Sequence, residues 1–254
     1  MQNKNNKKSP GKFFLGIFSL IFLWWIISLL VNSELIVPSP YTVILSLIEI
    51  IKKGMLFSAL FSTFLKGILG MLISLVIGVP LGFLMGISNS FEEILRPGTM
   101  FIRSVPIISW LSSILVIWGV GWQAPVFIVV VSLIPPILFN VAQGVKTVDG
   151  KLLEMARIYK VPKRKVIRNI YLGSLVPFLL SAVRVSVGTM WKVAIVAEYV
   201  AGDSGMGIQI SDAKFYLETP KVFAFTMVAV LCGLLLEYLF DLFISKSKLR
   251  GIGL

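Results

Sequence analysis

The sequence predicts an all-α membrane protein that crosses the bilayer about six times. Hydrophobic residues make up 57% of the 254-residue chain and charged residues only 14%, far from the balance of a soluble domain. Several apolar runs reach the roughly 20 residues that a spanning helix needs. The six candidate spans are Phe13–Val31, Phe57–Ile87, Gly98–Trp118, Ala124–Val145, Leu175–Ala197 and Val222–Ser245.

The distribution of basic residues predicts the topology. With a cytoplasmic N-terminus, most of the 24 lysines and arginines fall in three cytoplasmic pieces: the tail 1–12, the polar segment 146–173 and the tail 246–254. Because cytoplasmic loops carry an excess of positive charge, both termini are predicted to be cytoplasmic. This placement assigns the net charge of +12 to the membrane surface and disfavours a nucleic-acid-binding role.

The composition gives little support to catalysis. The chain has one cysteine, Cys232, and no histidine, which excludes a disulfide framework and removes the commonest metal ligand. No glycine run ends in Gly-Lys-Ser or Gly-Lys-Thr, so no Walker A nucleotide site is expected, and the acidic residues are scattered. We therefore predict no catalytic residue, no metal site and no cofactor in this chain.

The N-terminal part is predicted to be a span followed by a helix at the membrane surface. A basic tail before an apolar run is also typical of a signal peptide, but the length of 13–31 and the lack of a cleavage site favour an uncleaved span. Val37-Pro38-Ser39-Pro40 then breaks the chain outside. Residues 41–54 form an amphipathic pattern that predicts an interfacial helix.

Small residues and prolines mark the next three spans. Gly70, Ser74, Gly78, Gly82 and Gly86 recur every four residues, a stripe that lets another helix approach closely. Packing within one subunit is the favoured explanation, and a dimer seam is the alternative. Prolines lie at positions 80, 106, 125, 135 and 136, where they kink or break helices. Broken helices line polar paths in many membrane proteins, but they also serve packing alone.

The polar segment 146–173 is patterned as two short helices that Pro162 separates. Lys151–Tyr159 places apolar side chains on one face, and Lys163–Leu172 repeats that arrangement with a strongly basic opposite face. One explanation is an interfacial hairpin that touches anionic lipid. The compactness of the hairpin and the presence of Glu154 favour a docking surface for a protein.

Four basic residues fall inside predicted spans: Lys66, Arg103, Arg184 and Lys192. Arg184 and Lys192 lie on nearly the same face of the fifth span with Thr189 beside them, which fits a path for an anion. The alternative is structural, because Glu237 of the sixth span lies at similar depth. An Arg184–Glu237 ion pair would then neutralise both charges without touching a solute.

The hairpin sequence resembles a known family. Glu154-Met155-Ala156-Arg157-Ile158-Tyr159, with the stretch Ile170–Pro177 before a span, is similar to the "EAA" loop of ATP-binding-cassette (ABC) importer permeases. The match extends from Ile36 to the C-terminus, and it is closest to the aliphatic sulfonate, taurine and nitrate permease group. Five further segments fit that group in order: Val37-Pro38-Ser39-Pro40, Arg103-Ser104-Val105-Pro106, Met190-Trp191, Ala197-Glu198 and Ser204-Gly205-Met206-Gly207.

The resemblance implies a type I importer (MetI-like) transmembrane domain over residues 57–245, with 146–173 as its coupling loop. It implies two cytoplasmic ATPase subunits that hold ATP and Mg²⁺, a second permease copy, an extracytoplasmic solute-binding protein, and the cytoplasmic membrane of a bacterium or archaeon. Seven hairpin residues are the expected ATPase contacts: Glu154, Met155, Ala156, Arg157, Tyr159, Lys160 and Pro162. Four residues are candidates for an outer gate or a binding-protein contact, with simple packing over the bundle as the alternative: Glu198, Ser204, Gly205 and Gly207.

Two positions depart from the family pattern, and the solute stays open. Lys160 stands where the family has glycine, and lysine in a left-handed cap costs about 1 kcal/mol, so the turn is expected to differ, with Pro162 breaking the helix. Gly173 stands where the family has proline. The resemblance favours a small anion such as a sulfonate, taurine or nitrate. The alternatives are a vitamin precursor (a pyrimidine or riboflavin) or an ATP-independent carrier, and an intramembrane enzyme is disfavoured.

Overall fold

The computed structural model describes residues 10–249, which form helices and short connections without a strand. The ends of the two predicted tails, residues 1–9 and 250–254, lie outside the described residues. In chain order the helices are α1 Pro10–Val31, α2 Pro40–Lys52, α3 Met55–Ile87, α4 Asn89–Ser104, α5 Ile107–Trp118, α6 Gln123–Lys146, α7 Gly150–Ile158, α8 Lys163–Val166, α9 Leu172–Ala201, α10 Met206–Phe215 and α11 Thr219–Leu249. A π-helical turn, Ile167–Tyr171, joins α8 to α9.

Four helical stretches among the described residues are long and apolar enough to cross a membrane: Met55–Ile87, Gln123–Lys146, Lys163–Ala201 and Thr219–Ser245. The α4–α5 pair counts as a fifth if it is one bent span. The apolar part of α1, Leu15–Val31, is shorter. The all-helical membrane fold is confirmed, while spanning by α1 stays a prediction.

The predicted third span is a broken helix. α4 and α5 meet at an angle of 90° at Val105 and Pro106. Proline disfavours helical backbone at the residue before it, and Val105 accordingly adopts an extended conformation with φ −72° and ψ 126°. The break leaves an open space beside α6.

Helix α6 lies at the centre of the bundle, between α3 and α9. Its most apolar window is 61% buried, against 22–28% for the other three long spans, which shows that α6 is enclosed by the other helices of the chain to a greater extent than they are. The main core cluster joins α6 residues such as Val129, Leu133 and Ile137 to Met190 and Ala194 of α9. The enclosed helix is the frame on which α3, α5 and α9 are positioned.

The small-residue stripe of α3 faces α6. A Cβ atom added at Gly70 would lie 2.6 Å from the Val129 side chain, and one at Gly82 would lie 2.6 Å from the carbonyl oxygen of Leu138. Ser74 is buried in the same stripe and donates its hydroxyl to the Gly70 carbonyl at 2.7 Å. The stripe therefore serves packing within one subunit, as favoured, and a dimer seam on this face is excluded.

The segment before α3 is anchored to the last helix. Val43 and Ile50 of α2 are buried in a cluster with Phe225 of α11, so α2 packs on protein along one edge. Ser39 caps α2 by accepting the Thr42 amide at 3.2 Å. Trp24 donates its indole N–H to the Pro38 carbonyl, which ties α1 to the same corner.

Gly82→Ala is expected to destabilise the protein because the added methyl group meets backbone rather than a movable side chain. The expected cost is about 1–3 kcal/mol, seen as a lower thermal midpoint of the purified protein in detergent. Gly98→Ala on α4 is the matched control, because nothing lies within 4 Å of its added Cβ. That control is expected to be neutral or slightly stabilising, and equal midpoints for the two variants would contradict the close packing of α3 on α6.

Candidate functional site

The hairpin is a preformed structure with defined caps. The Asp149 side chain accepts the Lys151 amide at 2.9 Å and begins α7. At the other end the Val161 amide bonds the Ala156 carbonyl at 2.9 Å and the Lys160 amide bonds the Arg157 carbonyl at 3.1 Å. These two bonds form a Schellman cap, which satisfies carbonyl groups that the helix end would otherwise leave unpaired.

The expectation that Lys160 changes this turn is wrong. Lys160 adopts the left-handed conformation, with φ 47°, which the family's glycine would take more easily. The two hydrogen bonds of the Schellman cap hold the lysine there. Pro162 does not break α7; it stands at the N-cap of α8 with φ −55°, where proline is well tolerated.

The hairpin leaves a groove of about 300 Å³ between its two arms. Its wall is formed by Leu152, Met155, Ala156, Tyr159, Val161, Lys165, Val166, Asn169 and Ile170. Only Ala156 among the expected ATPase contacts is buried; Glu154, Met155, Arg157, Tyr159 and Lys160 are exposed. The arrangement presents an apolar, concave surface with charged margins.

A buried polar cluster, here named the outer clasp, joins α3 to the end of α9 and the loop before α10. Lys66 lies 3.2 Å from Glu198, donates to the Ser204 carbonyl at 2.7 Å, and is only 5% exposed. The other oxygen of the Glu198 carboxylate accepts from the Thr63 hydroxyl at 2.7 Å and from the Gly207 amide at 3.1 Å. The Lys66 nitrogen and both side-chain oxygens of Glu198 thus have close partners, as burial requires.

The outer clasp corrects one sequence-based expectation. Glu198 is fully buried, so its carboxylate does not present a contact to a solute-binding protein in this conformation. Gly205 and Gly207 are buried against it, and Gly205 has φ 106°, a conformation that favours glycine. Ser204 is exposed, and a role of these residues in an outer gate stays a prediction.

The clasp extends to the exposed residue Asp203. Lys66 also lies 3.2 Å from the Asp203 carboxylate. Partial burial raises the pKa of Asp203, but hydrogen bonds from Ser204 and Lys66 and the charge of Lys66 outweigh it, so the pKa lies below its usual value. Sequence reasoning missed Thr63 and did not pair Lys66, although a lysine within an apolar run signals a buried partner.

The predicted Arg184–Glu237 ion pair is wrong in its register. Arg184 pairs with Asp241 of α11 at 2.7 Å, and Lys192 lies 3.8 Å from Glu237. The helices α9 and α11 run in opposite directions. The earlier base on α9, Arg184, therefore meets the later acid on α11, Asp241, and the later base, Lys192, meets the earlier acid, Glu237. Arg184 and Lys192 therefore share the α11 side of α9, and Thr189 faces elsewhere.

Thr189 lines a different space, here named the membrane cleft. This cleft of about 430 Å³ lies where α4 breaks into α5, against the Pro135-Pro136 pair of α6. Its lining residues are Ile102, Arg103, Val105, Ile107, Trp110, Val131, Ser132, Pro135, Pro136, Phe139, Asn140, Thr189 and Val193. Of the three residues predicted to line a path, the structure places only Thr189 at this cleft.

With this geometry established, comparison with known proteins identifies the family. The profile of the binding-protein-dependent transport system inner membrane component family matches residues 78–248, about two thirds of the chain. The chain belongs to this family. It is an ABC importer permease, which confirms the resemblance seen at the hairpin.

Curated relatives and a solved structure agree with this assignment. The permease is 30% identical over 240 residues to the putative aliphatic sulfonates transport permease protein SsuC of Bacillus subtilis, covering 91% of this chain and 87% of that protein. It is 25% identical to the taurine transport system permease protein TauC of Escherichia coli, covering 86% and 82%, and 27% identical to the bicarbonate transport system permease protein CmpB of Synechococcus elongatus, covering 78% and 75%.

The fold matches that of an inward-facing conformation of the MetNI methionine ABC transporter. The TM-score is 0.66 at 18% identity, covering 77% of this permease and 97% of that chain. The likeness confirms the type I importer arrangement of the helices.

Lys66→Met is expected to destabilise the permease by about 3–5 kcal/mol, because it leaves the Glu198 carboxylate buried without its cation. The double variant Lys66→Met/Glu198→Met removes both charges and is expected to recover much of that loss. Thermal unfolding of the purified variants measures both effects. Lys53→Met is the matched control, since its ion pair with Glu49 is exposed on α2. The buried clasp is contradicted if Lys66→Met costs no more than Lys53→Met.

Proposed function

We propose that two copies of this permease form the pathway of an importer for a small anion. Two separate ATPase subunits bind the hairpins and hold ATP and Mg²⁺, and a solute-binding protein delivers the anion at the opposite face. The chain itself has no ATPase site and no cofactor in this proposal. Both of its termini lie on the side of the hairpin, in the cytoplasm.

The surface of the hairpin carries the proposal of ATPase docking. Met155, Ile158 and Tyr159 are 53%, 75% and 76% exposed, although they lie in a segment rich in lysine and arginine. Apolar side chains gathered on a polar segment mark a contact with another protein. Glu154 lies beside them and is exposed, and a carboxylate gains nothing from anionic lipid. A protein partner therefore explains this surface better than a membrane surface does.

The proposal of a small anion has two supports. The curated relatives are described as permeases for aliphatic sulfonates, taurine and bicarbonate, solutes that carry a sulfonate or carbonate group. In this chain the path residue Thr189 shares its cleft with Arg103 and with no aspartate or glutamate. A cation without acidic neighbours favours the passage of negative charge.

The partnership with the ATPases is tested by Glu154→Lys. The change reverses one charge of the proposed docking surface without altering the helix, since Glu154 is exposed and its cap lies elsewhere. Affinity purification of the tagged permease from its native membrane is expected to recover a Walker A ATPase with the unmodified chain. The Glu154→Lys variant is expected to lose at least about 90% of that ATPase, a loss of about 1.4 kcal/mol or more in binding.

Glu93→Lys is the matched control, because Glu93 is an exposed glutamate of α4 outside the hairpin. It is expected to retain the ATPase. Recovery of the permease alone in every mild detergent would reject the docking proposal, and equal loss with both variants would show that the hairpin is not the specific contact.

A further inference from the structure

We infer that the membrane cleft holds the anion halfway across the bilayer and that Arg103 is the residue that binds its charge. The inference rests on the proposed import of an anion and adds the place and the chemistry of an intermediate site. Four observations carry it: the lack of a carboxylate partner for Arg103, its distance from the hairpin along α4, the proline pair that borders the cleft and the polar groups that line it.

Arg103 differs from the other three basic residues within the predicted spans. Lys66 is paired with Glu198, Arg184 with Asp241, and Lys192 with Glu237. Within residues 10–249, no carboxylate lies within salt-bridge distance of Arg103. An unpaired charge at membrane depth is costly, so Arg103 requires water or an anionic ligand.

The position of Arg103 along α4 separates it from the hairpin. Glu92 near the start of α4 is bonded to Lys146 at the end of α6, which fixes both ends at the level of the hairpin. Arg103 follows Glu92 along α4 by eleven residues, or about 16 Å of helix. That separation is about half the roughly 30 Å thickness of the hydrocarbon core, and we take Arg103 to lie well inside it.

The cleft beside Arg103 is bordered by backbone carbonyl groups without helical donors. Pro135 and Pro136 lack amide hydrogens, so the carbonyl groups of Val131 and Ser132, one turn earlier in α6, lose their helical donors. Both of these residues line the cleft. Backbone left unpaired at membrane depth is tolerated where it faces a water-filled cavity.

The remaining polar groups of the cleft can donate hydrogen bonds to an anion. Asn140 uses one amide hydrogen on the Pro136 carbonyl at 2.8 Å and keeps the second. The Trp110 indole nitrogen is buried and has no acceptor among the described residues. No acidic side chain lines the cleft, whereas the groove between α9 and α11 contains Glu237 next to Lys192. Guanidinium and N–H donors without a carboxylate select a sulfonate-like or carbonate-like anion over a cation.

The single cysteine of the chain permits a direct test in the complete importer in native membranes. Cys232→Ser removes the only thiol, and Thr189→Cys places a reporter in the cleft. The reporter is treated with an anionic sulfonatoethyl methanethiosulfonate and, separately, with its cationic trimethylammonium analogue. The quantity measured is the ratio of the two modification rates.

The anionic reagent is expected to react faster at position 189. Arg103→Gln is expected to lower the rate ratio by about tenfold, because one nearby positive charge attracts one reagent and repels the other. Arg103→Lys retains the charge and is expected to retain the preference. Arg184→Gln is the matched control, since Arg184 pairs with Asp241 on the α11 side of α9, and it is expected to leave the ratio within about twofold.

Two outcomes of the labelling experiment would overturn the inference. One is that the rate ratio is unchanged in the Arg103→Gln variant. The other is that neither charged reagent modifies the cysteine at position 189. Uptake of labelled taurine and bicarbonate by cells with the complete importer separates this inference from the proposed function. If the parent takes up an anion and the Arg103→Gln variant takes it up equally well, the anion site at Arg103 is overturned while the proposed function stands. No uptake of either anion by the parent overturns the proposed anion class.

Discussion

The need to neutralise or hydrate charge inside the bilayer organises this permease. Lys66 and Glu198 satisfy it by burial together, and the bonds they make to Thr63 and Gly207 fasten the outer loop to two long helices. Arg184 and Lys192 satisfy it by pairing across to α11. Each pair helps to fix the relative position of two helices. Hydrophobic contacts alone do this weakly, because lipid provides no hydrophobic force between spans.

The central helix α6 combines two properties that usually conflict. The face of α6 that contacts α3 packs tightly against the glycine stripe, with no space for even a methyl group at Gly82. In its middle, the Pro135-Pro136 pair disrupts the backbone bonds and borders an open cleft. The rigid contact on one side holds the disrupted turn in place on the other. A cleft in the middle of a membrane protein is thus supported by a closely packed wall behind it.

The sequence predicted features that depend on local chemistry. It did not predict which side chains pair between helices, because that depends on how the helices are positioned against each other. Apolar length found the four long spans, and Pro106 marked the break between α4 and α5. The pairing of Arg184 was missed by one helical turn, since the depth of an acid on α11 depends on how that helix is seated against α9. Lys160 was misjudged because the energy of the two cap bonds was not weighed against the backbone strain of one residue.

One continuous helical run connects the second arm of the hairpin to Glu198 of the outer clasp. The second arm of the hairpin passes without a loop through the π-helical turn into α9, so Lys163–Ala201 is a single helical run of 39 residues, about 58 Å long. Glu198 stands three residues from its far end. A displacement of the hairpin is therefore transmitted along this helix to the clasp without an intervening loop. The regular hydrogen bonding of this run is interrupted at the π-helical turn and at Pro177, and these are the two places where we expect it to bend.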